Sequence, residues 1–227
     1  MKSALFLWLS IFSLSAFAQK KDTVFLKPKN IKGHSIYIDP SPDSEYYNRI
    51  ADLSYSIKDK DYNQSIQRLS IYKTKAFNDV NLTGIPRNWC PLEIYKGEYY
   101  VYSPSESSET RVSINDSTMV QQNMERGIYL LDAVSRTTKN SYKIFTIQDY
   151  TGRRNSFTIH IIDLERGIAV FENLFYRSQE ELFRYILMVD VSKVKKFPIV
   201  VNYSPTHKEL EFVFDRPNFK ELLKNIN

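Results

Sequence analysis

Ser156-Phe157-Thr158-Ile159-His160-Ile161-Ile162-Asp163 sets Phe157, Ile159 and Ile161 against Thr158, His160 and Ile162. A two-residue period belongs to a strand, because successive side chains leave a pleated backbone on opposite sides. Phe183 to Val191 repeats the pattern, with Phe183, Tyr185, Leu187, Val189 and Val191 alternating against Ile186 and Met188. In both stretches the second face also carries apolar side chains. An antiparallel sheet with one wet face has no use for them. The pattern asks for a barrel or a two-sheet sandwich whose outer face is partly covered.

Working outward, short strands are expected at Glu98 to Tyr102, Thr110 to Ile114, Thr118 to Gln122, Gly127 to Val134 and Tyr142 to Gln148. Gly167 to Phe171, Pro198 to Tyr203 and Lys208 to Phe214 follow. Turn-forming residues fall between them, at Asn115-Asp116, Tyr150-Thr151-Gly152, Glu165-Arg166-Gly167 and Ser204-Pro205. These connections leave no room for the helical crossovers of a parallel sheet, so the strands are antiparallel. In the last of them Leu210, Phe212 and Phe214 are expected to face a core, and His207, Glu209 and Glu211 to face solvent. Pro217 then precedes a short C-terminal helix with Phe219, Leu222 and Leu223 as its apolar stripe. Ser178-Gln179-Glu180-Glu181 reads as a capping box starting a helical turn before Leu182.

The segment that opens this series, Lys96-Gly97-Glu98-Tyr99-Tyr100, resembles the G-x-W entry of the lipocalins, with Tyr99 where that family has Trp. The resemblance implies an antiparallel barrel built as a meander; a shared fold does not by itself imply a shared function.

Before residue 90 the signals are mixed. Thr23 to Lys27 and Ser35 to Ile38 look extended, and Asp39-Pro40-Ser41-Pro42-Asp43 is a rigid turn. Tyr46, Ile50, Leu53 and Ile57 fit one face of a helix, whereas Leu53, Tyr55 and Ile57 fit a strand, and Ile66 to Tyr72 carries the same conflict. The crowding of Ser, Tyr and Ile favours a strand hairpin around Lys58 to Asn63. Residues 19–89 thus read as a β-rich or mixed α/β extension packed on an antiparallel domain of residues 90–227.

Residues 1–18, MKSALFLWLSIFSLSAFA, have the anatomy of a cleavable export signal: Lys2, an apolar run from Ala4 to Leu14, and Ala16-Phe17-Ala18 before Gln19. The run is short of the roughly 20 apolar residues a spanning helix needs, and no later run approaches that length. The expectation is a secreted or periplasmic protein without a transmembrane segment after cleavage. Cys90 is the only cysteine, so the fold cannot rely on an internal disulfide; between Trp89 and Pro91 it reads as a small buried residue. Net charge is +5, scattered rather than concentrated on one face. That argues against a nucleic-acid partner.

No nucleophile elbow, zinc helix, phosphate-binding glycine loop or EF-hand is present, and the sequence asks for no cofactor or metal. Among the histidines, His160 followed by Asp163 is the catalytic candidate, although the two lie on opposite faces of a continuous strand and meet only if the strand bends. His207 and Glu209 share a strand face as two metal ligands without an evident third, and His34 beside Gly33 reads as a turn residue. The paired acids Glu180-Glu181 are accounted for by the first turn of a helix. Tyr99, Tyr100 and Tyr102 on one strand, with Trp89 nearby, are candidates to line an apolar or sugar-stacking site, although aromatic residues more often pack a core. Three functions are open: an exported, non-enzymatic binder of a small apolar or glycan-type ligand; a hydrolase of envelope or extracellular polymers using His160; and a structural envelope component binding another protein along a sheet edge.

Overall fold

The computed structural model describes residues 23–30, 32–72, 82–105, 110–123, 125–174, 184–205, 209–224 and 226. The export signal, Glu180-Glu181 with its capping box, and His207 lie outside them.

The chain forms β1 (Val24–Lys27), β2 (Ser35–Asp39), α1 (Tyr46–Ile50), α2 (Lys60–Leu69), β3 (Asn88–Pro91), β4 (Glu93–Tyr95), β5 (Glu98–Ser103), β6 (Arg111–Ile114) and β7 (Thr118–Gln122). It continues through β8 (Arg126–Thr138), β9 (Ser141–Gln148), β10 (Arg154–Asp163), β11 (Ile168–Glu172), β12 (Tyr185–Asp190), β13 (Ile199–Tyr203) and α3 (Phe219–Leu222). β6 to β12 make an antiparallel meander that β3 closes into an eight-stranded barrel, and β1-β2-β13-β5-β4 form a second, five-stranded sheet. Within that sheet β13 and β5 run parallel. The sequence boundary at residue 90 falls inside β3, a strand of the barrel.

The doubly apolar strands are now explained. Phe157, Ile159 and Ile161 face into the barrel and pack with Trp89, Ile144, Phe171 and Met188; eight strands leave an interior that side chains can fill. On the outside, Cys90, Ile168, Val170, Leu187 and Val189 pack against Val101, Ile199 and Val201 of the second sheet, with Tyr47 and Ile50 of α1 and Phe219 of α3 sealing the seam. Cys90 is buried in this seam. Elsewhere on the outer wall, Val120, Ile128, Leu130 and Ile147 receive Tyr55, Tyr62 and Leu69.

Two expectations are corrected. Lys58 to Asn63 is not a hairpin: Asp59 caps α2, its carboxylate accepting the Tyr62 amide at 2.8 Å. The helical spacing of Tyr62, Ile66 and Leu69 wins because the barrel wall gives that face something to bury. The stretch before Asp215 is not a strand either. Its described part, residues 209–214, makes no ladder, and a single bridge joins Ile94 to Asp215. Leu210 is 86% exposed, while Phe212 and Phe214 fold onto Tyr102 and Val200. The C-terminal helix forms as read, with the Asn218 side chain accepting the Glu221 amide at 3.1 Å.

Candidate functional site

Along β9 the inward positions run Ile144, Thr146, Gln148; along β10, read backwards, they run Ile159, Phe157, Asn155; β11 gives Ala169 and Phe171, then Asn173 just beyond its end. On β7 Met119 is followed inward by Gln121. At one end of the barrel, therefore, each of these apolar ladders finishes in a carboxamide.

The result is a cavity of about 420 Å³ in the barrel mouth, within the range of small-molecule sites. Met119, Tyr129 and Phe157 form its apolar floor, and Thr146, Gln148, Asn155 and Asn173 its polar wall. Asn173 holds a left-handed backbone, φ 61°, a conformation asparagine tolerates better than most residues. A larger cavity, about 870 Å³, lies between α2 and the ends of β7 to β9 and shares Tyr129 and Gln148 with the mouth. Gly127 lets Tyr129 lie between them, since a Cβ there would come within 3.0 Å of the tyrosine ring.

Three of the four arginines that line these cavities are held by the protein's own carboxylates, the fourth being Arg153 at the mouth. Arg154 meets Asp132 at 2.6 Å, Arg126 meets Asp59 at 2.8 Å and Arg68 meets Asp149 at 2.6 Å. Burial alone would raise the Asp149 carboxyl, but the Arg68 guanidinium, the Ser65 hydroxyl and the Tyr150 amide hold it below the ordinary range. Carboxamides offer a donor and an acceptor side by side, and aromatic faces offer stacking. Together they suit a neutral, hydroxyl-rich ligand.

The aromatic candidates from the sequence do not gather here. Trp89 is fully buried in the barrel core, 5.2 Å from Phe171, with its indole N–H donating to Pro86 O at 2.8 Å. β5 turns Tyr99 toward the seam, beneath Arg166 and edge-on to Phe197. It turns Tyr100 and Tyr102 to the opposite face. The Tyr102 hydroxyl joins Asn202, Glu211 and the Phe212 amide, and burial pushes its phenol up.

His160 and Asp163 are not brought together. A register shift separates Ile161 from Asp163, whose carboxylate instead accepts the Arg166 amide and guanidinium, each at 2.8 Å. His160 has other partners: Ser141 Oγ lies 2.9 Å from Nδ1, and Glu172 Oε2 lies 3.2 Å from Nε2. Arg184 in turn holds Glu172 at 2.6 Å. The order serine, histidine, carboxylate matches a nucleophile relay. Ser141, however, is only 1% exposed, so no substrate approaches its hydroxyl in this conformation.

His34 closes the β1–β2 turn, its backbone bonded to Asn30, but its side chain does more than that. It is fully buried, with Nε2 2.7 Å from Asn202 Oδ1 and Nδ1 3.5 Å from Glu209. No group of three metal-ligating side chains occurs among the described residues, and no helix there is long and apolar enough to cross a membrane.

Comparisons with protein-family models, curated proteins and solved structures found no match to this chain. The class it defines by its own geometry is a closed antiparallel barrel, backed by a mixed sheet, with a carboxamide-lined mouth.

Proposed function

We propose that this chain is an exported, non-enzymatic binding protein that seats a small glycan-type ligand in the mouth of its barrel. The observation that carries the reading is the change from apolar to carboxamide side chains at the same end of neighbouring inward ladders, over a floor of Met119, Tyr129 and Phe157. Carboxamides set side by side at this mouth present paired donors and acceptors to a hydroxyl-rich ligand. Export rests on the signal-like residues 1–18. The hydrolase alternative has its best geometry at His160, where the hydroxyl is sealed.

The test is calorimetric titration of the mature protein with a panel of neutral mono- and disaccharides. Binding that weakens about tenfold in Asn155→Ala, with unchanged thermal stability, supports the site. Binding indifferent to Asn155 and Gln148 contradicts it.

A second reading has its own observation. β1 pairs only with β2 among the described residues, and Val24 and Phe25 on it are 54% and 57% exposed. Such an edge can accept a partner's strand. Phe25→Pro would then abolish partner capture while sparing saccharide binding.

A further inference from the structure

The cavities at the barrel end form a chain. The mouth and the larger cavity share Tyr129 and Gln148 in their walls, and the larger cavity shares Arg68 and Tyr150 with a third, of about 420 Å³, so the three lie side by side. Ile71 and Tyr72 wall the far end.

Tyr150 is the unusual residue on this path. Its backbone is left-handed, φ 63°, and its side chain is 79% exposed. An aromatic residue in that conformation is strained and persists only where its surroundings impose it. Here they do. The buried Asp149 carboxylate accepts the Tyr150 amide at 2.8 Å and holds the Arg68 guanidinium through two bonds, at 3.0 and 2.6 Å. The guanidinium lies 4.0 Å from the centroid of the Tyr150 ring. One face of the ring is thus backed by a pinned cation. Gly152 itself makes room for the Tyr72 ring, since a Cβ on it would come within 2.6 Å of that ring.

Resting on the glycan reading of the mouth, we infer that Tyr150 is the stacking platform of an outer subsite, and that the groove binds a neutral sugar chain rather than a single ring. A ring fixed before binding loses little freedom when a sugar face settles on it. A polyanion is disfavoured: Arg68 and Arg126 are occupied by Asp149 and Asp59, and Asp61 and Glu125 add negative charge along the same wall. An extended peptide is disfavoured as well, because a closed barrel has no free strand edge for it to pair with.

The experiment titrates the mature protein with ladders of cello-, xylo-, malto- and chito-oligosaccharides, beside heparin and a peptide library. Wild-type affinity should rise with length for one of the ladders. Tyr150→Ala should lower long-chain affinity about tenfold and leave the shortest members unchanged, whereas Tyr150→Phe keeps the stacking face and the affinity. Gln148→Ala should weaken every length. Length-independent binding that responds to Gln148 but not to Tyr150 overturns the outer subsite and leaves the mouth site standing. Absence of binding by all ladders overturns both, and tighter binding of heparin or peptide through Tyr150 overturns the neutral-sugar assignment.

Discussion

Glu93, on the short strand β4, carries a carboxyl that burial pushes up from 4.5 to about 7. The native state therefore holds a proton that the unfolded chain gives up, and stability falls as pH rises through that window, then levels off. Glu93→Gln removes the penalty. Its unfolding free energy should exceed wild type by up to about 3 kcal/mol above pH 7, with the difference vanishing below pH 4.5, as chemical denaturation at the two pH values will show. Trp89→Ala should cost about 3–5 kcal/mol in the same assay, the usual loss for an aromatic removed from a packed core. Single residues were the hardest scale to read from sequence. Trp89 and the tyrosines of β5 are equally aromatic, and only the closed barrel decides that Trp89 faces inward. His160 and Asp163 are near in sequence, whereas Ser141 and Glu172, its actual partners, come from the two neighbouring strands. The carboxamides were present as a pattern. Gln121, Gln148, Asn155 and Asn173 each end an alternating apolar run, but they converge only once the strands are in register.

At the scale of elements most strands were legible, because the two-residue period is strong in a long buried wall; β3 and β4, four and three residues long, are too short to show it and were not read as strands. β7 was read with its own limits, Thr118–Gln122. The failures are instructive. α2 has a helical face of Tyr62, Ile66 and Leu69, but enough β-favouring residues to suggest a hairpin, and what settles it is the outer wall of the barrel. Leu69 is fully buried in that contact, so Leu69→Ala should cost about 2–5 kcal/mol in thermal or denaturant unfolding. It should also weaken ligand binding, since α2 forms one wall of the groove. The alternation of Leu210, Phe212 and Phe214 has the period of a strand without its pairing, because the side chains of Asn202 and Tyr102 take the backbone groups of Leu210 and Phe212 that a ladder would use.

At the scale of the molecule, β4 and β5 leave the barrel between β3 and β6, and β13 returns after β12 to lie parallel beside β5. No local pattern announces a parallel pair so far apart in sequence. The choice between barrel and sandwich is resolved as a barrel with a sheet against its wall, and this accounts for strands that are apolar on both faces. The shared seam, which includes Cys90 and Val201, packs barrel and sheet against each other, and one cooperative unit is the expected outcome. Unfolding followed by near- and far-ultraviolet circular dichroism should give coincident single transitions; two separated transitions would mean that the sheet melts independently.

The barrel mouth as binding site is tested most directly by mapping backbone amide shifts of the isotopically labelled mature protein on addition of pooled neutral oligosaccharides. Shifts concentrated at Gln148, Asn155 and Asn173, extending toward Tyr150, are the predicted result. Shifts centred on Tyr99, Tyr100 and Tyr102, or an unchanged spectrum, would contradict it.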